Sequence, residues 1–383
     1  MFSVMLPCYP ARVILVTLPR GRSVCVICCL SCWSYCQCAA GWRPPQIFRP
    51  TERPGRDKPV VAVVGYNGGT ELIDFVVPYG VLMRSGTAQV LAVSTQPGPL
   101  KMLPALKIQP DLTIEEFDAR FRDGADYVIV PAVVKPANTG LVAWIAAQSA
   151  KGATVVSICD GAFVVANAGL FKGRRATAHF GSESYRKKHY PDTQWISNVR
   201  YVADGKVMSS AGVSAALPTA LALVEAIAGH ERAAELARQI GGGDWSQEHN
   251  SDVFRPRLGV NLGAYITGYT NQWFHPPERL GISVAEGVDE VTLAFVADAW
   301  ARSKRSRVLT VAASTAPLRS RHGLVILPHL AHAAVDTPEL LPADLQAYLP
   351  GQALEYTLAA LSKRYGHRTA SLGALELEFP SYR

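Results

Sequence analysis

The 383-residue sequence predicts an α/β protein built on a parallel β-sheet with helices on both faces. Short, continuously apolar segments alternate with segments of helical periodicity, which is typical of strands buried between helices. A composition of 49% hydrophobic and 18% charged residues excludes a disordered or fibrous chain. The length allows two to three domains of ordinary size.

Four buried strands and the helices between them begin the predicted sheet. The strands are expected at 59–66, 88–94, 126–132 and 153–159, and the helices at 70–84, 114–121 and 141–152. Residues 199–210 predict a β-hairpin with Asp204 and Gly205 in its turn. Helices at 212–228 and 230–240 complete a domain that spans 59–243.

The remaining sequence divides into a linker and a shorter second unit. Residues 244–280 are polar, aromatic and irregular, and are predicted to be the linker. The strand–helix pattern then restarts at 281–383, and four residues recur at a nearly constant spacing. Gly68 and Glu71 match Gly287 and Glu290, and Pro99 and Pro110 match Pro317 and Pro328 with a spacing that is shorter by only one position. We interpret 281–383 as a truncated, degenerate repeat of the first unit; the alternative is a chance match.

The net charge of +7 and the eight cysteines belong mostly to a leader at positions 1–58. That leader holds eight basic and two acidic side chains and seven cysteines, whereas the rest holds 30 basic and 29 acidic side chains. The globular part therefore has no nucleic-acid-binding charge pattern. Its one cysteine, Cys159, excludes a disulfide framework there.

Residues 23–42 are uncharged, lie between arginines and are just long enough to cross ~30 Å of hydrocarbon. They predict a membrane anchor or uncleaved signal. One alternative is a mistaken upstream start codon. Another is zinc binding by the C-x-x-C-spaced cysteines of 25–32, which lack a second ligand pair. Residues 43–58 are proline-rich and predict an extended tether. The protein is expected to be membrane-associated if the leader is real, and otherwise cytoplasmic.

Cys159 ends the strand predicted at 153–159 and is followed at once by an alanine-rich helix. Gly161 permits a close backbone approach in the turn between them. Ligands of open α/β sheets bind at the carboxyl ends of strands, and a nearby helix N-terminus favours the thiolate. Cys159 is therefore a candidate nucleophile, with a small buried hydrophobic residue as the alternative.

The segment SICDGAFVVANAGLFKGRRATAHF (157–180) resembles the nucleophile elbow of the ThiJ/PfpI superfamily, within the class I glutamine amidotransferase-like fold. The resemblance is nearest to the branch of isocyanide hydratases and of amidase-like domains in AraC-type regulators. Supporting similarity lies at 70–86 and 190–229. The resemblance implies a flavodoxin-like sandwich over about 59–240, usually dimeric.

The same resemblance implies that Asp74, four residues before Pro78, is the acidic partner of the cysteine. In such sites a carboxyl group, often protonated, donates a hydrogen bond to the sulfur and stabilises the thiolate. The alternative is an acid on the helix surface, which the apolar neighbours of Asp74 disfavour. In the second unit Leu293 and Ala297 fall at these places and no cysteine follows, so a non-catalytic copy is expected.

Two further residues near the elbow are candidates for supporting roles. Asp160 stands where relatives carry Thr or His, so no Cys–His dyad is assigned there. We expect Asp160 to cap the following helix; the alternative is a carboxylate that raises the pKa of the thiol. His179 matches a histidine of the family and is expected in a supporting or packing role. No metal and no cofactor are proposed, because the other histidines lack metal-ligand spacing.

Three functions remain open from the sequence. The first is a hydratase or amidase acting on a small molecule, with Cys159 as nucleophile and Asp74 as acid/base. The second is a ligand- or redox-sensing module without turnover, related to the amidase-like domain of AraC-type regulators. Residues 281–383 show no DNA-binding helix, which disfavours direct DNA regulation. The third is an interaction protein on a membrane. The expected partners are a small molecule and either a second copy or, within one chain, the second unit as a pseudo-dimer; nucleic acid is not expected.

Overall fold

The structure, a computed structural model, describes residues 13–17, 23–27, 47, 53, 55–341 and 347–380. The chain divides into two compact parts, Met1–Pro44 and Pro45–Arg383. The described residues of Met1–Pro44 form an antiparallel pair of strands, β1 (Val13–Thr17) and β2 (Ser23–Ile27).

The proposed membrane anchor is not supported. Residues 23–27, its first five, form a strand rather than a helix, and 28–42 lie outside the described residues. Within the ranges given above, no helix has the length and apolar character needed to cross a bilayer. The side chains of the leader cysteines weighed as zinc ligands, and most of the tether at 43–58, also lie outside the described residues.

The larger part, Pro45–Arg383, is organised around a seven-stranded sheet whose order is β13-β14-β10-β9-β3-β5-β8. The strands up to the hairpin are β3 (Val60–Gly65), β4 (Thr70–Glu71), β5 (Gln89–Ser94), β6 (Leu100–Leu103), β7 (Lys107–Gln109), β8 (Leu112–Thr113), β9 (Tyr127–Val130), β10 (Thr154–Ser157), β11 (Arg175–Ala176) and β12 (Gln194–Trp195). The hairpin strands are β13 (Tyr201–Asp204) and β14 (Val207–Ser210). All neighbours in the large sheet are parallel except this last pair, so the predicted parallel α/β fold is confirmed.

Helices cover both faces of this sheet. They are α1 (Leu72–Ser85), α2 (Ile114–Arg120), α3 (Thr139–Ala150), α4 (Ala162–Asn167), α5 (Glu183–His189), α6 (Ala216–Ala228) and α7 (His230–Ile240). Alternate residues of β3 face opposite sides: Val61 and Val63 join the core under α1, α6 and α7, while Val60 and Ala62 join the core under α2, α3 and α4. Both faces of the central strand are therefore buried, which explains its continuous apolar sequence.

The C-terminal part has more structure than the sequence predicts. Helix α8 (Leu262–Phe274) lies within the predicted linker at 244–280. The later strands are β15 (Glu278–Ser283), β16 (Ser306–Ala312), β17 (Leu318–Arg319), β18 (Val325–Ile326), β19 (Leu330–Ala331) and β20 (Glu339–Leu340). The later helices are α9 (Glu290–Arg302), α10 (Ala353–Tyr365) and α11 (His367–Glu376). A parallel four-stranded sheet has the order β19-β16-β15-β20, so 281–383 does contain a strand–helix–strand unit; its origin as a repeat stays a prediction.

The early and late parts of the chain share a third sheet, of order β17-β18-β7-β6-β4. Here β18 pairs antiparallel with β7, with Ile326 opposite Ile108. Helices α1 and α9 also pack together, and the interface requires a glycine. A Cβ at Gly80 would lie 2.6 Å from Cγ2 of Val291. The two parts of the chain are thus joined by main-chain hydrogen bonds and by close helix packing.

Candidate functional site

Cys159 lies in a short turn between the end of β10 and the start of α4. Its φ is +54°, in the left-handed region that residues other than glycine rarely adopt. Such backbone strain persists only where the surrounding structure holds it, and it is concentrated at functional sites. The side chain is 5% exposed, and the backbone N–H faces the Ser210 hydroxyl at 3.4 Å.

Gly161 explains how the turn fits against the sheet. A Cβ at this position would lie 2.0 Å from the carbonyl oxygen of Val130, at the end of the neighbouring strand β9. No side chain can occupy that space. The N–H of Ile158 donates to the same oxygen at 3.0 Å, so the turn is held directly against the carboxyl end of β9.

Asp74 lies in the first turn of α1 and is completely buried. Its Oδ2 accepts a hydrogen bond from the backbone N–H of Ala132 at 3.1 Å, just beyond the end of β9. Asp74 and Cys159 therefore flank the end of the same strand. Oδ1 of Asp74 has no hydrogen-bond partner in the described part of the chain, and the hydrogen bond to sulfur that the resemblance implies stays a prediction.

Burial dominates the electrostatics of both groups. It raises the pKa of Asp74 to about 7, against an ordinary value of 3.8. Burial, together with the negative charges of Asp74 and Asp160, raises the pKa of Cys159 well above its usual value. At neutral pH the resting site thus holds a neutral thiol beside a carboxyl group that is close to half ionised.

Asp160 does not cap the following helix, contrary to the sequence-based expectation. No side chain caps the turn or α4, and Oδ1 of Asp160 instead accepts a hydrogen bond from the Ser182 hydroxyl at 2.7 Å. Burial raises the pKa of Asp160, against the opposing influence of His179. The carboxylate turns toward α5, yet remains close enough to disfavour a thiolate at Cys159.

His179 is held in a polar network that includes a residue the sequence analysis missed, Glu378. The ring Nδ1 of His179 accepts from the N–H of Gly181 at 3.1 Å, so Nε2 carries the proton and donates to the carbonyl of Glu376 at 3.1 Å. The buried carboxylate of Glu378 accepts from the N–H of Phe180 at 2.7 Å and lies 2.9 Å from Nε2 of His249. The C-terminal end of the chain thus supports the segment that follows the elbow.

A cleft of about 500 Å³ opens beside the elbow. Most of its lining is apolar, and the polar lining residues are Glu71, Asp160, Arg302 and Lys304. Cys159 itself is not in the lining, although the next residue is. Arg302 and Lys304 come from the end of α9 and just beyond it, so the C-terminal part of the chain contributes to the cleft. Neither residue stands in a motif that marks it as part of a site.

The second unit carries no counterpart of the site at the corresponding helix. Aligning the first residue of α9, Glu290, with the first residue of α1, Leu72, places Thr292 rather than Leu293 opposite Asp74. The hydroxyl of Thr292 is buried without a partner among the described residues. A threonine hydroxyl does not titrate as an acid/base near neutral pH, and the non-catalytic copy stays a prediction.

Known proteins are similar to part of this chain. Protein DJ-1alpha of Drosophila melanogaster is 28% identical over 179 residues, 45% of this chain and 79% of that protein. Isonitrile hydratase of Pseudomonas putida is 28% identical over 173 residues, 44% of this chain and 72% of that protein. The HTH-type transcriptional regulator CdhR of Pseudomonas aeruginosa is 26% identical over 174 residues, 44% of this chain and 50% of that protein.

Two solved structures are also similar. Drosophila melanogaster DJ-1beta has a TM-score of 0.42 at 23% identity, covering 47% of this chain and 96% of that one. A ThiJ/PfpI family protein from Pseudomonas syringae has a TM-score of 0.44 at 20% identity, covering 51% of this chain and 82% of that one. The family match itself spans residues 60–226. It confirms the resemblance seen in the sequence: residues 60–226 of this chain are similar to the DJ-1/PfpI family.

Proposed function

We propose that this protein is a cysteine-dependent hydratase or hydrolase acting on a small, uncharged molecule with an electrophilic carbon. One observation carries the proposal. A thiol held in a strained left-handed turn and a fully buried carboxyl group with a pKa of about 7 flank the end of β9, and one oxygen of that carboxyl group has no hydrogen-bond partner among the described residues. An acid/base is most effective when its pKa is near the working pH.

Asp74 supplies the base that the neutral thiol of Cys159 needs before it can attack. Because the pKa of Cys159 is raised, its sulfur has to lose the proton as it attacks, and ionised Asp74 is the nearby base. With an isocyanide, the sulfur bonds to the terminal carbon, and the thiol proton passes through Asp74 to that carbon. Water then adds to the carbon and displaces the sulfur, which leaves the formamide and the free thiol. With an amide, the sulfur displaces ammonia and water hydrolyses the thioester.

The cleft favours small and mostly apolar substrates. Its lining includes Leu103, Val133 and Phe163. Both cations of the lining already have carboxylate partners: Arg302 pairs with Glu71 and Asp298, and Lys304 pairs with Glu376. A charged substrate would gain little from such a lining, whereas an apolar group would be removed from water. The similarity to isonitrile hydratase supports an isocyanide as the first substrate to test.

The experiment compares turnover of a panel of small isocyanides and amides by the wild type, Cys159→Ser and Asp74→Asn. The proposal expects product from the wild type and a loss of at least a hundredfold in both variants, the lower range for a general acid/base. Thr292→Val, a change at the corresponding place in α9, is the control and should retain turnover. Equal rates in the wild type, Cys159→Ser and Asp74→Asn would refute the proposal.

A second candidate function is a ligand-sensing module that binds the same class of molecule without turning it over. The similarity to the regulator CdhR favours it. The raised pKa of Cys159 argues against the redox form of this idea, because oxidants react with the thiolate. Saturable thermal stabilisation by a panel compound, with no product formed by the wild type, would select the sensor over the enzyme.

A further inference from the structure

Helices α1 and α9 are joined by two ion pairs that mirror one another. Arg84, in the last turn of α1, pairs with Asp289, the N-cap of α9. Arg302, in the last turn of α9, pairs with Glu71, the N-cap of α1, at 2.6 Å. Each helix thus places a cation at the start of the other, as two copies related by a twofold axis would. This reciprocity is the geometry expected of the pseudo-dimer predicted from the sequence.

Only one of the two pairs leads to the candidate site. Glu71 accepts the backbone N–H of Asp74 through its other carboxylate oxygen, Oε2, at 2.6 Å. Arg302 also contacts Asp298, one turn earlier on α9 and completely buried. A chain of contacts therefore runs from Asp298 through Arg302 and Glu71 to Asp74.

The charges in this chain of contacts do not balance. The titratable and charged groups around Asp74 come from three elements: Glu71 at the start of α1, Cys159 and Asp160 on the elbow, and Asp298 and Arg302 on α9. Beyond them, Lys304 pairs with Glu376 at 3.5 Å. Asp74, Glu71 and Asp298 are three carboxyl groups around one guanidinium. Such a cluster retains protons at neutral pH, and their number depends on the cation.

We propose that Arg302 and Asp298 are positioning residues that set the protonation of Asp74, so that the C-terminal part of the chain completes the candidate site. The inference rests on the proposed role of Asp74 as the acid/base. Arg302 binds one carboxylate oxygen of Glu71, and the other oxygen of Glu71 accepts the backbone N–H of Asp74. The unit at 281–383, which contains no cysteine, thus sets the protonation of an acid/base that belongs to the unit at 59–243.

The test measures the titration of Asp74 directly and does not require turnover. Protein labelled with ¹³C at the aspartate carboxyl carbons is titrated by NMR, and Asp74→Asn identifies the resonance. Arg302→Gln should raise the titration midpoint of Asp74 by about one pH unit, the low end for a carboxyl group that loses an arginine. Arg302→Lys, which keeps the cation, should restore most of that change.

Arg84→Gln is the matched control, because it breaks the mirror-image ion pair at the other end of α1, ~15 Å along the helix from Asp74. Equal midpoints in Arg302→Gln and Arg84→Gln would overturn the inference. If Arg302→Gln does not fold, Asp298→Asn takes its place in the test. This variant should lower the titration midpoint of Asp74, and an unchanged midpoint would also overturn the inference. A wild type without turnover refutes the proposed function while leaving this titration readable.

Discussion

Replacing Asp74 with asparagine should stabilise the fold at neutral and higher pH. The buried carboxyl group ionises near pH 7 in the folded protein, whereas in the unfolded chain it ionises near its ordinary value of 3.8. Between these two values the folded state retains a proton that the unfolded state has lost. Stability therefore falls as pH rises through this window.

The size of the effect follows from the difference of about three pKa units. At about 1.4 kcal/mol per unit, ionised Asp74 costs the folded state about 4 kcal/mol above pH 7. Asparagine has nearly the same shape, and its side-chain oxygen can still accept the N–H of Ala132. We expect Asp74→Asn to match the wild type below pH 4 and to exceed its free energy of unfolding by up to about 4 kcal/mol at pH 8.

Urea denaturation of both proteins at pH 4, 6 and 8 measures this difference. Glu183→Gln is a control of opposite sign. Although burial acts to raise it, hydrogen bonds from Lys187 and Arg255 lower the pKa of Glu183 to about 2, so its removal should destabilise the fold at neutral pH. A stability difference for Asp74→Asn that stays constant from pH 4 to 8 would refute the reasoning. Stabilisation together with lost turnover is the pattern of a residue kept for activity at a cost in stability.

Two substitutions and one reactivity measurement test the site and its support. Gly161→Ala should destabilise the fold by roughly 3 kcal/mol or more, because its Cβ would meet the Val130 carbonyl. Gly140→Ala, where a Cβ has only ordinary contacts in α3, should not destabilise it. Thermal melts that rank the two variants equally would contradict this. Burial acts to raise the pKa of Glu378, but its histidine partners and the Phe180 N–H lower it. Glu378→Gln should therefore cost stability at pH 7, with the loss shrinking as pH falls below 4.5; equal losses at pH 7 and pH 3 would count against it. Cys159 should react with iodoacetamide at pH 7.5 at least about tenfold more slowly than a free peptide cysteine, and an equal rate would exclude the raised pKa.

Local sequence patterns were sufficient for the main sheet except its edge strand β8, and for its helices except α5. The strand predicted at 59–66 is Val60–Gly65, and the hairpin and the helix at 230–240 lie where they were expected. These elements are specified by residues close in sequence, through apolar runs, helical periodicity and turn residues such as Gly205. Helix α8 was missed because its aromatic residues are largely exposed and give no clear apolar stripe; Trp273, for example, is 72% exposed.

The candidate site could be predicted only where a motif marks it. Cys159 and Asp74 stand in recognisable segments, and the structure brings both to the end of β9. Their supporting groups, Arg302 and Glu378, lie far from the cysteine in the sequence, and nothing local distinguishes them from surface charges. The prediction that Asp160 caps the following helix was wrong, because its actual partner, Ser182, lies beyond the turn and the short helix α4 and no local pattern indicates it.

The antiparallel pairing of β18 with β7 has a consequence for how the protein is made. Ile326 reaches its partner Ile108 only after a long further stretch of chain has been synthesised. Until then the nascent domain exposes an open strand edge at β7 and the face of α1 that contains Gly80. Open edges of this kind invite pairing with other chains. Loop closure over such a separation also makes this a late step of folding. A ribosome stalled before Val325 is made would therefore carry a first half that is incomplete and prone to aggregate.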